Sequence, residues 1–284
     1  MKLTLAAPAK LNVGLEVVGR RPSGLHELAS IMVNVELADE VTLSSGDGLE
    51  VTGTYARELE PTEDLASRAL RALEREAGRP LGLAVAIEKR IPIGAGLGGG
   101  SADAAAVLRA APALGVELGP ERLRELALDL GADVPFQLMG GAALATGVGE
   151  KLEPLELEET WFAVGFANLP VSTAAVFAEL REDEWGSGRA VETAARAIRA
   201  GVGAAAVARL PNDLLAPATR LYPDLEALVS SLRKRGWEPR LTGTGSALFQ
   251  VCWERAEAEH LCVKAWDTGM RAWALRSIPA PTPP

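Results

Sequence analysis

The stretch PIGAGLGGGSADAA, residues 92–105, carries five glycines between Gly94 and Gly100 and then turns alanine-rich. Without Cβ atoms a backbone can close on an anion. The helix predicted over about 101–114 would bring free N–H groups and the positive end of its dipole to the same place. Together these make a phosphate cradle. On the residues alone several readings compete. Gly94, Gly96 and Gly99 satisfy G-x-G-x-x-G, the dinucleotide fingerprint. However, the charged run Glu88-Lys89-Arg90 sits where a buried parallel strand should feed that loop, and no strand precedes Glu117, the acid at the ribose-binding offset. Gly94, Gly99 and Ser101 have the spacing of a Walker loop, but Gly100 occupies the lysine position. A flexible connector before a helix is the bland alternative. A nucleotide-phosphate loop of another class satisfies the residues with the fewest exceptions.

Working outward, Leu11, Val13, Leu15 and Val17 alternate with Lys10, Asn12, Gly14 and Glu16, which predicts a half-buried strand with a polar face. Ile31 to Leu37 predicts a second strand, and Val41, Leu43, Leu49 and Val51 around SSGDG predict a hairpin. Thr62 is the expected cap of a helix that faces inward through Leu65, Ala69, Leu70 and Leu73 and ends at Gly78. Leu83 to Ile91 reads as a strand and Pro120 opens a helix that runs to Gly131. Residues 141–168 look mainly β. Helices are expected over 173–182, 190–210, 223–235 and 254–268, and strands over 240–252 and 270–277. All six tryptophans fall between Trp161 and Trp273, which suggests a separately packed C-terminal core. The division expected is 1–155 and 156–278, with 279–284 frayed, in an α+β rather than a regularly wound βαβ architecture.

With 284 residues and 48% hydrophobic content the chain can bury a sizeable core, so disorder as the main state is excluded. A net charge of −9 and no basic block argue against a nucleic-acid partner. Cys252 and Cys262 are too few for a disulfide framework and fit a reducing compartment. No run is apolar for the roughly 18 residues of a membrane span, and MKLTLAAPAK makes a poor signal peptide. The expectation is a cytoplasmic protein with no membrane partner.

Three further stretches accompany the glycine loop in a fixed order: PAKLNVGLEVVGRRPSGLHEL at 8–28, LGADVPF at 130–136 and LTGTGSALF at 241–249. The loop resembles the phosphate motif of the GHMP kinase superfamily. The first two stretches resemble those of its members that phosphorylate a cytidine diphosphate-linked polyol of the non-mevalonate isoprenoid route. The resemblance implies an N-terminal domain like the second domain of ribosomal protein S5 and a ferredoxin-like C-terminal domain. It also implies ATP and Mg²⁺, a small-molecule substrate, and transfer of the γ-phosphoryl group to a hydroxyl. A monomer or weak homodimer is expected. Another GHMP kinase acting on homoserine or a mevalonate, or a ligand sensor on the same fold, are the alternatives.

Residue by residue, the resemblance makes Asp133 the general base, a position that otherwise reads as a helix cap before Val134 and Pro135. Lys10 becomes its cationic partner, able to stabilise the transferring group. Pro92, Ile93, Gly94, Ala95, Gly96, Leu97, Gly98, Gly99, Gly100, Ser101 and Ala102 form the nucleotide loop. Ser101 is expected at the helix start, as a cap or as a hydroxyl toward phosphate or Mg²⁺. Asn12, His26, Phe177 and Gly243 are assigned to the substrate. His26 is implied to read the cytosine ring and Phe177 to stack on it. Where the family often has an aromatic before that histidine this chain has Leu25, which implies apolar contact alone. Asn212-Asp213-Leu214 reads as a structural Asx cap.

Overall fold

The computed structural model describes residues 2–56 and 64–281. They pack as two compact units. The first holds residues up to Lys10, Leu37–Ile93 and Gly98–Gly140; the second holds Leu11–Glu36, Gly94–Leu97 and the chain from Gly141 onward. The expected cut at 155/156 leaves the first two strands whole, whereas the packing divides both. The reason is length. Strand β1 (Lys2–Arg20) has 19 residues and β2 (His26–Ser45) has 20, so at about 3.3 Å per residue each outruns a single core.

In the first unit β3 (Leu49–Gly53) pairs in parallel with β4 (Leu83–Lys89), and β4 pairs antiparallel with the far end of β2. The hairpin expected around SSGDG is therefore absent. β4 comes between, with Leu43 opposite Val85 and Val51 opposite Ile87. A parallel neighbour needs a crossover, and α1 (Leu65–Ala77) supplies it. Asp64 caps α1 by accepting from the Ala66 and Ser67 N–H groups, and Gly78 closes it in the left-handed region. Thr62, the expected cap, lies outside the described residues. Helices α2 (Gly99–Arg109), α3 (Pro120–Leu130) and α4 (Val134–Met139) complete this unit. Its core joins Val41, Leu43, Leu73, Ile87 and the alanine face of α2.

In the second unit the first half of β2 pairs with β5 (Ala142–Gly147), which pairs with β6 (Lys151–Leu155), all antiparallel. A separate four-stranded antiparallel sheet has the order β10-β7-β9-β8, from Arg271–Arg276, Trp161–Phe166, Leu248–Cys252 and Arg240–Leu241. Helices α5 (Thr173–Glu179), α6 (Arg189–Arg199), α7 (Ala204–Val207), α8 (Leu215–Leu221), α9 (Pro223–Lys234) and α10 (Arg255–Trp266) belong here, and α10 packs on β7, β9 and β10. The helix expected over 190–210 breaks after Arg199, where Gly201 takes φ +81°. The strand expected over 240–252 is interrupted at 242–247 by the glycines of TGTGSA. Residues 279–281 have no regular structure, and 282–284 lie outside the described residues. No helix among the described residues is long and apolar enough to cross a membrane.

The polar face of β1 is not solvated, because residues 9–17 are buried on both sides. Glu16, 5% exposed, shows how the chain accommodates this. Its carboxylate accepts from the Gly188 and Val191 N–H groups at 3.2 and 2.9 Å, and so caps α6 from a distant strand. Asp213 likewise accepts from the Val17 and Gly186 N–H groups. The exchange Glu16→Gln removes the charge at the helix N-terminus. It should lower the free energy of unfolding by about 1–2 kcal/mol, read as an earlier midpoint in urea.

Candidate active site

The first unit brings Lys10 and Asp133 together. Lys10 comes from a buried stretch of β1, and its ammonium lies 3.5 Å from the Asp133 carboxylate. Asp133 stands at the N-cap position of α4 but makes no capping hydrogen bond. Its side chain is 39% exposed against 5% for Lys10, so the carboxylate reaches solvent and the ammonium does not.

The start of α2 lies beside this pair. Gly98 is the N-cap, with φ +71° and no side-chain cap bond. A Cβ on Gly98 would come within 2.9 Å of the Lys10 Cγ and 3.2 Å of the Gln137 amide nitrogen. Only glycine fits there, both by conformation and by space. Gly99, Gly100, Ser101 and Ala102 form the first turn, so Ser101 is inside the helix and is not its cap. The first N–H groups of α2 have no side-chain acceptor at the cap, which is the state in which a helix start receives an anion.

The start of α2 also has buried charged neighbours that sequence pattern did not single out. Lys89, 1% exposed, donates to Asp39 Oδ2 at 2.5 Å and to Asp103 Oδ2 at 2.7 Å. Asp39 Oδ1 accepts from the Arg90 and Ile91 N–H groups at 2.6 and 2.8 Å. Burial pushes the Asp103 carboxyl up to about 7 although Lys89 pulls it down. Desolvation opposes the Lys89 charge, but the two carboxylates together outweigh it and raise the lysine pKa. A signal was present. Lys89 alternates with Val85, Ile87 and Ile91, so period two puts it on the inward face of its strand. Arg109 is half-buried and donates to the Gln137 and Ala6 carbonyls, its pKa lowered to about 10 by desolvation. Pro92 is buried and Ile93 half-buried as the chain leaves this unit.

In the second unit the middle of the glycine loop is gripped by the LTGTGSALF loop. The Thr242 hydroxyl donates to the Gly96 carbonyl at 3.2 Å and the Ala247 N–H to the Ala95 carbonyl at 3.1 Å. A Cβ on Gly96, which has φ +76°, would run into the Thr242 carbonyl. Gly94 is exposed, while Ala95 and Leu97 are buried and anchor the turn. This bare, closely backed turn suits a nucleotide phosphate, because the Ala95 and Gly96 carbonyls are already bonded behind it.

The same loop is tied to β1 and to Asn212. The Asn12 N–H donates to Thr242 Oγ1 at 3.0 Å, and the Asn12 amide donates to the Ser30 hydroxyl, which donates to the Gly14 carbonyl. A Cβ on Gly243 would stand 3.6 Å from Asn12 Oδ1. Asn212 makes the expected Asx bond to the Leu214 N–H, and its amide also donates to the Leu241 and Gly243 carbonyls.

His26 and Phe177, each assigned to the cytosine ring, lie directly against one another. Their rings stack 5.0 Å apart at 23°, and Trp185 stands edge-on to the imidazole at 6.2 Å. Burial, with help from Arg20, lowers the His26 pKa and favours the neutral ring. Leu25 is 56% exposed. Trp185 had no sequence signal. Its indole N–H is buried with no acceptor among the described residues.

The chain is similar to known proteins along most of its length. A family model described as the GHMP kinases N terminal domain matches residues 64–141. A 4-diphosphocytidyl-2-C-methyl-D-erythritol kinase of Chromobacterium violaceum is 38% identical over 262 residues, 89% of this chain and 87% of the relative. One of Thermus thermophilus is 40% identical over 274 residues, 94% of each chain. A crystal structure of 4-(cytidine 5'-diphospho)-2C-methyl-D-erythritol kinase superposes with a TM-score of 0.80 at 37% identity, covering 97% of this chain and 99% of the other. A homoserine kinase of Cytophaga hutchinsonii superposes with a TM-score of 0.73 at 17% identity, covering 98% and 95%, and shares the fold alone. A kinase fold is common to both structures, but identity at this level along nearly the whole chain is found with one group of them. The chain therefore belongs to the GHMP kinases, in the 4-diphosphocytidyl-2-C-methyl-D-erythritol kinase family.

Proposed function

We propose that this enzyme transfers the γ-phosphoryl group of ATP to the 2-hydroxyl of 4-diphosphocytidyl-2-C-methyl-D-erythritol, giving the 2-phosphate and ADP. The observation that carries the chemistry is the Lys10–Asp133 pair at 3.5 Å beside the glycine cap of α2. It sets an acid–amine couple next to the helix start that would hold the phosphates.

In this reading Asp133 accepts the proton of the 2-hydroxyl while that oxygen bonds to the γ-phosphorus and the bond to the ADP oxygen breaks. A half-exposed carboxylate without a cap bond is free to take that proton. Lys10, fixed by burial, stabilises the developing charge on the attacking oxygen and the transferring group. The α2 start holds the phosphate chain through main-chain N–H groups, with Ser101 as the nearby hydroxyl. Ser101 is the hydroxyl that would be offered to a Mg²⁺ arriving with the nucleotide, which would supply charge neutralisation. His26 in its neutral form can both donate to and accept from a cytosine edge, with Phe177 giving its stacking surface. Asn12 and Gly243 line the substrate through the loop that Asn212 holds.

Asp133→Ala should lower turnover by about 10³-fold with binding of a nonhydrolysable ATP analogue little changed. A correctly folded variant with near-normal turnover would remove Asp133 from the mechanism. Lys10→Ala should cost about 10²–10³-fold in kcat. ADP release should be seen with the cytidyl substrate and not with homoserine or mevalonate.

The imidazole must stay neutral to read the base. Because its pKa is lowered from the ordinary value, the KM for the cytidyl substrate should be flat from pH 8 down to about 6.5 and rise only below it. The His26→Ala variant should show a raised KM with no such acid limb.

A further inference from the structure

We propose that Asp39, Lys89 and Asp103 form a clamp that positions the start of α2 for the nucleotide, a role resting on the kinase reading above. The three come from β2, the end of β4 and the second turn of α2, so one ion group holds both the segment that leads into the turn and the helix that follows it. Asp39 contributes most of the grip. One of its oxygens takes Lys89, and the other takes the two successive N–H groups of Arg90 and Ile91, which fixes the peptide at which β4 ends. Lys89 then ties this end to Asp103. Gly99 is packed against the same group, since a Cβ there would lie 3.1 Å from Ile91 and 3.4 Å from Asp39 Oδ2.

A hydrophobic trio would fill this space as well. Desolvation largely offsets the attraction within a buried ion group, so such a group adds little stability. It does, however, permit few satisfied geometries. Asp103 is 2% exposed and its second oxygen has no hydrogen-bond partner among the described residues, so the clamp is under-satisfied as a stabilising device. Its consequence is positional: the direction in which β4 delivers Ile91 and Pro92, and the seat of the first α2 turn, whose N–H groups meet phosphate. All three are buried away from any solvent-facing ligand, so they are positioning residues.

The test measures the dissociation constant of a nonhydrolysable ATP analogue by titration calorimetry, with two-substrate kinetics on the same preparations. Asp39→Ala should weaken the analogue about tenfold or more. It should leave the KM of the cytidyl substrate within about twofold. Asp39→Asn keeps an oxygen for the Arg90 and Ile91 amides and should recover much of that loss. Asp103→Asn, nearly isosteric, should fold and weaken the analogue about threefold, and it decides the matter if Asp39→Ala does not fold. A merely structural role predicts the opposite split, with fewer active molecules, a lower apparent kcat and an unchanged nucleotide affinity; that result overturns the clamp. Failure of the kinase reading looks different, because the wild-type protein would then bind no ATP analogue at all.

Discussion

A lysine ammonium cannot be left alone inside a protein, and Lys89 has no route to water. Two carboxylates from separate elements close on it, and one of them also takes the two peptide N–H groups that follow. The end of β4 and the first turns of α2 are constrained by that requirement. The cost of an unpaired buried charge is several kcal/mol, far more than any single contact in the loop could offset. Gly99 can therefore be a conformationally free residue without making the helix start a loose one.

The same constraint recurs on β1. Its polar face is buried from Ala9 to Val17, and each polar group there has been given a partner. Lys10 has Asp133, Asn12 has Ser30 and the loop at Thr242, and Glu16 has the start of α6. Two of these three partnerships belong to the candidate site, and the third supports a helix. One strand thus distributes chemistry and stability along its length by the same rule, that a polar group removed from water must be compensated in hydrogen bonds. Asp133 lies outside that rule because it keeps its access to water, and it occupies a helix cap without making the side-chain cap bond.

Much of the fold was legible. Period-two alternation predicted β1 and the inward face of β4, and helical periodicity predicted α1, α3, α9 and α10. Two of the errors share one cause. A hairpin was expected where β3 instead takes β4 as a parallel neighbour, because local alternation says which residues share a face and nothing about which strand lies alongside. The half-buried reading of β1 failed for the same reason. At the site, the glycine turn, Lys10, Asp133, His26 and Phe177 were visible as motifs. Asp39 and Trp185 were not, and Asp103 and Thr242 stood inside quoted stretches without a role, since an aspartate in an alanine-rich helix or a threonine beside a glycine looks ordinary until something packs on it.

The amino-acid order by itself determined the close-approach turn at 94–100, because absent Cβ atoms and left-handed backbone are properties of single residues. It determined the helix that follows and the family resemblance for the same local reason. Tertiary structure alone decided who meets whom: Lys10 with Asp133, Lys89 with its two carboxylates, Gly96 with the Thr242 carbonyl, His26 with Phe177. Those meetings join residues far apart in the chain, and they depend on the packing of elements whose mutual register no short window of sequence contains.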